Sequence, residues 1–124
     1  GGQWKLLADE DSANTDANTL SATVTQGGGS GTTAVGTVSD GSRVTLVSIE
    51  VTQAFDDVNA TLTVGDSGDA DRLVTNNDID LTSTGTYAIQ PAYQYTTGSD
   101  ATINAYLNIA SATTGTAKVL VSYM

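Results

Sequence analysis

Residues 42–53 read SRVTLVSIEVTQ, and this stretch decides the fold class because its apolar side chains alternate with polar ones. Val47, Ile49 and Val51 fall on one side of an extended chain, with polar residues between them. A period of two is typical of an antiparallel β-strand that buries one face. Val44 and Leu46 are out of phase with this set. Either a bulge near Thr45 to Val47 shifts the register, or the strand is buried on both faces, and the sequence leaves both explanations open.

Other segments repeat the alternation, separated by short runs of Gly, Asp and Ser that favour turns. Three are as clear as the first: residues 59–64, 101–110 and 117–123, with inward sets Ala60, Leu62 and Val64; Ile103, Ala105, Leu107 and Ile109; and Val119, Val121 and Tyr123. Weaker candidates are residues 19–25, 32–38, 78–83, 86–90 and 93–97, the last two on either side of Pro91. About eight short strands predict an all-β fold, an antiparallel β-sandwich or jelly-roll-like domain.

The first 31 residues differ in composition from the rest. Residues 8–19 are polar and acidic without periodicity, and residues 26–31 read QGGGSG, which is typical of a linker. We therefore predict an extended N-terminal arm and Gly-rich hinge over residues 1–31 and a β-sandwich domain over residues 32–124. The arm carries an apolar group that we predict binds a partner: Trp4, Leu6 and Leu7. The alternative is that Trp4 folds back onto its own domain.

Composition excludes several classes of function. The chain of 124 residues has no histidine and no cysteine, so it lacks the usual general base, the thiol nucleophile and the best soft-metal ligands. We predict no enzymatic activity and no cofactor. Its net charge of −10 would repel nucleic acid, and no apolar stretch approaches the length of a membrane span. We expect neither nucleic acid nor membrane as a partner.

The acidic stretch 62–74, LTVGDSGDADRLV, raises the question of a calcium site or a catalytic acid pair. An EF-hand loop needs oxygen ligands at positions 1, 3 and 5 and a glutamate at 12, and neither Asp66 nor Asp69 starts such a register. A catalytic carboxylate pair needs an apolar setting, which Ser, Gly and Ala neighbours do not supply. We predict a hairpin turn in which Arg72 neutralises an aspartate, and no metal site. Asp56 and Asp57 are likewise expected to bond the local backbone.

Aromatic residues offer one candidate for ligand binding. Tyr93 and Tyr95 alternate along a strand, and Tyr106 lies further along the chain, so a sugar ring could stack on them. The alternative is that the two tyrosines cover the core at a sheet edge.

The sequence from residue 44 to 124 resembles small structural proteins of tailed bacteriophages. The similar segments are EVTQAFD, TLTVGDSGDADRL, NNDIDLTSTGTY, YQY, DATINAYLN and ATTGTAKVLVSY. The resemblance implies an all-β virion protein that performs no reaction. It implies a turn formed by Gly65, Asp66, Asp69, Asp71 and Arg72, a strand flanked by Asp78 and Asp80, and a hairpin marked by Gly85 and Tyr87.

We therefore expect a capsid decoration or cement subunit on the outer surface of a virion, bound to the major capsid protein. Its core side chains are small, with 15 alanines and one phenylalanine, so we expect further apolar burial in a homotrimer. The alternative is a tail-fibre or baseplate module that binds carbohydrate. A carboxylate-pair glycosidase is a third candidate, with little room for a substrate cleft in one small domain.

The first prediction follows from the small number of possible calcium ligands in the loop of residues 66–71. Millimolar calcium should raise the melting temperature no more than general screening of the net charge does. Magnesium at the same concentration is the control and should give the same shift in a thermal denaturation experiment. A calcium-selective shift of many degrees would contradict this interpretation.

Overall fold

The computed structural model describes residues 18–124, which form nine β-strands and one short 3-10 turn. The strands are β1 (Asn18–Thr25), β2 (Gly31–Val38), β3 (Arg43–Gln53), β4 (Thr61–Asp66), β5 (Asp69–Val74), β6 (Gly85–Ile89), β7 (Tyr93–Gln94), β8 (Ala101–Asn108) and β9 (Thr116–Tyr123). The 3-10 turn, Gln26–Gly28, follows β1.

Two antiparallel sheets form the sandwich. The first has the strand order β2-β8-β4-β5. The second has the order β1-β9-β3-β6, and β7 pairs with the end of β3 that β6 leaves free. The predicted all-β antiparallel sandwich is confirmed.

The core lies between the sheets and consists of the residues that the alternation places inward. Val47, Ile49 and Val51 are fully buried or nearly so. The other predicted inward residues are buried as well, except Ile109 and Tyr123, which are only partly buried. At about 1.5–3 kcal/mol for each large aliphatic or aromatic side chain, this burial is the main force that holds the sheets together.

The phase break in β3 is a bulge. Leu46 pairs with Ser122 and Val44 with Tyr123, so Thr45 is an extra residue without a Cα partner on β9. Val44 thereby points into the core and is fully buried, while Leu46 stays half-buried. The Thr45 hydroxyl donates to the carbonyl oxygen of Ser122 at 3.3 Å. The alternative of a strand buried on both faces is therefore wrong.

The predicted arm and hinge differ from the structure over residues 18–31. Residues 18–25 are β1, which pairs with β9 over its whole length. Residues 26–28 form the 3-10 turn, and β2 begins at Gly31. The short alternating pattern of β1 is enough to form a strand, because β9 supplies the hydrogen-bond partners of its backbone. The remainder of the predicted arm, with Trp4, Leu6 and Leu7, lies outside the described residues.

One weak strand candidate, residues 78–83, is wrong. This segment consists of turns that Asp78 and Asp80 hold through hydrogen bonds to the backbone N–H groups of Thr75 and Thr82. Leu81 still reaches the core, where its carbonyl accepts from the N–H of Phe55 at 2.8 Å. Within residues 18–124, no helix has the length and apolarity to cross a membrane.

Phe55 packs directly on Gly115, just before β9. Phe55 is 1% exposed, and a Cβ atom placed on Gly115 would overlap three atoms of its ring. Gly115 also has φ +146°, a conformation that side chains rarely adopt. This contact closes the end of the sandwich where β3 leaves the second sheet.

We predict that Gly115→Ala lowers the free energy of unfolding by about 2–4 kcal/mol, because it adds overpacking to backbone strain. Urea denaturation at pH 7 measures the change. Gly27→Ala is the matched control, since no atom lies within 4 Å of a Cβ atom at that position. A loss for Gly115→Ala no larger than that of the control would contradict the packing argument.

Candidate functional site

An open groove of about 610 Å³ lies at the end of the sandwich where the turn between β4 and β5 meets the segment after β7. Its third side is the beginning of β8 and the loop before it. The lining combines two tyrosines, one ion pair and several hydroxyl and amide groups: Asp66, Ser67, Gly68, Arg72, Tyr93, Tyr95, Thr97, Ser99, Asp100, Ala101, Thr102 and Asn104.

Asp66 organises this end of the molecule. Its Oδ1 accepts from the backbone N–H groups of Gly68 at 2.9 Å and Asp69 at 3.0 Å, which sets the turn between β4 and β5. Its Oδ2 accepts from the phenol of Tyr95 at 2.9 Å and from Nε of Arg72 at 2.7 Å. One carboxylate therefore ties a hairpin of the first sheet to the segment that follows β7 of the second.

Arg72 is oriented on two sides. Beside its bonds to Asp66, its guanidinium donates to the Tyr93 hydroxyl at 3.1 Å, and its Cζ lies 5.0 Å from the centre of the Tyr93 ring. The predicted turn, with Arg72 neutralising an aspartate, is confirmed. A guanidinium held by a carboxylate and an aromatic ring is a rigid donor at the wall of the groove.

The ionisation of the groove follows from these contacts. Burial raises the pKa of Asp66, but hydrogen bonds from Arg72, Tyr95 and Gly68 outweigh it and hold the pKa below its ordinary value. Burial, together with the neighbouring Asp66 carboxylate, raises the pKa of the Tyr95 phenol. Asp66 is therefore charged and Tyr95 neutral at neutral pH, which is the arrangement that their hydrogen bond requires.

The two tyrosines of the predicted glycan platform do come together. Their ring centres are 4.8 Å apart with planes at 77°, an edge-to-face contact. Tyr95 is 2% exposed, so it is part of the core and offers no open face. The Tyr93 ring is partly exposed, but Arg72 lies over it. Tyr106 lies on β8, where its hydroxyl is within 3.3 Å of the Asn104 amide.

The other acids of the hairpin lie outside the groove. Asp69 and Asp71 are exposed on β5, and a hydrogen bond to the Asp69 carboxylate and its charge raise the pKa of Asp71. Among residues 18–124, no group of three or more metal-ligating side chains is close enough together to hold an ion. The absence of a metal site in the whole chain stays a prediction.

Asp56 and Asp57 bond the backbone, as expected, but most of their partners are distant in sequence. Asp56 accepts from the hydroxyl and the N–H of Thr113, and these bonds lower its pKa. Asp57 accepts from the N–H of Ser111 at 2.8 Å and, locally, from that of Asn59. The pair thus joins the β3–β4 loop to the β8–β9 loop at the opposite end of the sandwich. No local rule could have shown this pairing.

The residues implied by the resemblance fall in three places, one of which is the turns of residues 78–83 that hold Asp78 and Asp80. Gly65, Asp66, Asp69, Asp71 and Arg72 do form the β4–β5 hairpin. Gly85 begins β6, and the Tyr87 hydroxyl donates to the carbonyl of Asp80 at 3.3 Å. Sequence reasoning missed Asp100, Thr102 and Asn104 as groove residues, since they lie in a loop and on the polar side of β8 and carry no motif.

Comparison with known proteins gives similarity in structure alone. No protein family and no curated protein matches this chain. A chain of the capsid asymmetric unit of cyanophage Pam1 superposes with a TM-score of 0.65 at 20% identity, over 87% of this chain and 82% of that chain. A chain of the acidic stable capsid structure of Helicobacter pylori bacteriophage KHP30 gives a TM-score of 0.69 at 18% identity, over 88% and 87%. The protein therefore shares its fold with chains of two phage capsid structures.

We predict that Asp66→Asn lowers the free energy of unfolding by about 2–3 kcal/mol at pH 7, because charge-assisted hydrogen bonds contribute about 1.5–3 kcal/mol. The folded-state pKa of Asp66 is below that of the unfolded chain. Its contribution is thus present above about pH 4 and lost as the pH falls through the lowered folded value.

Urea denaturation at pH 7 and at pH 3 should therefore show a gap between wild type and Asp66→Asn that narrows at the lower pH. Asp100→Asn is the control, since this exposed carboxylate lines the same groove. A gap of equal size at both pH values would mean that packing, and not the charge of Asp66, stabilises the hairpin.

Proposed function

We propose that this protein is a non-enzymatic structural component of a phage virion, a decoration or cement subunit that binds the major capsid protein on the outer surface of the head. The observation that carries the proposal is the fold shared with chains of two phage capsid structures. In each comparison the match covers more than four fifths of this chain and of the other chain. The match takes in 82% and 87% of those chains, so little of either chain lies outside the shared fold.

The surface of the domain is consistent with a binding role. The groove beside Asp66 is open, so hydroxyl, amide and backbone groups of a partner could enter it. The aspartates at both ends of the sandwich hold loops in fixed positions through hydrogen bonds to backbone N–H groups. Rigid loops cost less entropy when a partner binds them.

The arm is the second part of the proposal. Trp4, Leu6 and Leu7 could contribute roughly 5–8 kcal/mol if buried on a partner, at about 1.5–3 kcal/mol for each large apolar side chain. Ordering the backbone of some five residues costs a similar amount at about 1–2 kcal/mol each. Because the free energy gained by burial and the entropic cost of ordering are similar, we expect the arm to bind a groove or sheet edge that a neighbouring subunit or the capsid protein already presents.

A carbohydrate-binding module is the second candidate, because the groove combines Tyr93 with Asp100, Thr102 and Asn104. Such a mixture of an aromatic ring with carboxylate, hydroxyl and amide groups is suited to sugar hydroxyls. The cover of Arg72 over Tyr93 and the burial of Tyr95 argue against a stacking platform. A glycan array with Tyr93→Ala as control distinguishes this candidate, and specific binding that the variant loses would favour it.

We predict that the purified chain co-sediments with empty shells of the capsid protein encoded by the same genome, and that deletion of residues 1–17 or Trp4→Ala weakens that binding about tenfold or more. The deletion ends before β1, so the sandwich should keep its melting temperature. Val58→Ser is the control, since Val58 is a highly exposed apolar residue elsewhere on the surface. Absence of wild-type binding at saturating shell concentration would refute the proposed function. A deletion variant that fails to fold would instead assign Trp4 to its own core.

A further inference from the structure

The outer face of the five-stranded sheet carries two aliphatic side chains near its centre. Because Val119, Val121 and the inward residues of β3 are buried, Leu120 on β9 and Leu46 on β3 point outward, and both are half-buried. Small residues surround them: Leu120 pairs with Ser48, and Leu46 with Ser122. Small neighbours leave the two leucines accessible to a flat partner surface.

The opposite sheet has no comparable face. The outward residues on its two central strands are polar, among them Thr63 on β4 and Asn104 and Tyr106 on β8. Water solvates hydroxyl and amide groups well, whereas a leucine gains free energy when a partner covers it. The five-stranded sheet is therefore the better surface for association.

Charge points to another copy of the same chain as the partner. The aspartates of the described residues lie in loops or on β4 and β5, and none is in β1, β3, β6 or β9. Chains that each carry a net charge of −10 repel one another least through a face without aspartates. The aspartate-free face is therefore the one that two copies can bring together.

Besides Arg43 at the start of β3, this face carries two charges that are complementary, Lys118 and Glu50. Lys118 and Glu50 are register partners on β9 and β3, and among residues 18–124 neither takes part in an ion pair. Each can therefore meet the opposite charge of a neighbouring copy. Such a pair would contribute orientation more than affinity, because exposed ion pairs are worth about 0–1 kcal/mol.

We propose that copies of this protein contact one another through the outer face of the five-stranded sheet, with Leu46 and Leu120 at the centre of the contact and Lys118 of one copy beside Glu50 of the next. The inference goes beyond the proposed function and names a surface for self-association. Four strands about 4.8 Å apart and some eight residues long, at about 3.4 Å per residue, present roughly 500 Å² per copy. A standard interface buries about 800 Å² per partner, so we expect association that depends on concentration in the micromolar range.

The central test places a charge in the face. Ser48→Glu should raise the dissociation constant of self-association at least tenfold, measured by sedimentation equilibrium between about 1 and 500 µM. Thr63→Glu is the matched control, because it puts the same charge at a half-buried hydroxyl residue on a central strand of the other sheet. Circular dichroism at low concentration checks that both variants are folded. Equal dissociation constants for the two variants would overturn the proposal, and so would a wild-type chain that is monomeric at every concentration.

Charge exchange tests the orientation of the contact. Lys118→Glu alone should weaken association, because it sets two glutamates against each other. The double variant Glu50→Lys with Lys118→Glu should restore association to within a few-fold of wild type. Failure of the double variant to restore it, at unchanged circular dichroism, would contradict the pairing of Lys118 with Glu50.

Binding to shells keeps this inference separate from the proposed function. If the Ser48→Glu chain stays monomeric but still co-sediments with shells, the result supports self-association through this sheet face and is consistent with the capsid role. If the wild-type chain self-associates through this face but binds no shell, the result supports the proposed self-association surface and refutes the capsid role.

Discussion

The length of β3 is the constraint on which the rest of the structure depends. This strand of 11 residues pairs with β9 on one side and with both β6 and β7 on the other. Val44 near the start of the strand and Val51 near its end both point into the core. Strict alternation of faces would place these two residues on opposite sides of the sheet. The extra residue Thr45 lies between them and corrects the phase, and its hydroxyl donates to a carbonyl of β9. A second extra residue, Thr52, follows Val51 and likewise donates its hydroxyl to a carbonyl of β9.

The groove is a consequence of the bulge at Thr45 in β3. Because Val44 is turned inward, the first residues of β3 pair with β7, and the N–H of Tyr95 donates to the carbonyl of Ser42 at 2.8 Å. Tyr95 thereby enters the core with its hydroxyl on Asp66. A segment of the second sheet and a hairpin of the first meet at one carboxylate, and the space beside it is the groove. Its shape depends on electrostatics and hydrogen bonds more than on apolar packing.

The distribution of charge separates the molecule into surfaces with different uses. Asp56, Asp57, Asp66, Asp78 and Asp80 accept hydrogen bonds from backbone N–H groups, so much of the acidity has a structural role in loops and turns. The outer face of the five-stranded sheet carries few charges, which are Arg43, Glu50 and Lys118. Most of the acidic side chains therefore lie away from this sheet face.

The sequence by itself determined the strands, the face that each strand buries, and the turn held by Arg72 and an aspartate. These features depend on a period of two and on residues close together in the chain, which are legible without the fold. The sequence offered residues 19–25 both as a weak strand candidate and as part of the arm. Only the tertiary structure decided for the strand, because β1 has little apolar pattern of its own and depends on hydrogen bonds from β9. The fold also decided that Tyr95 is buried while Tyr93 stays partly exposed, and that Asp56 holds a loop 57 residues away. Each of these depends on groups that meet only when the two sheets pack, and their separation in sequence carries no local signal.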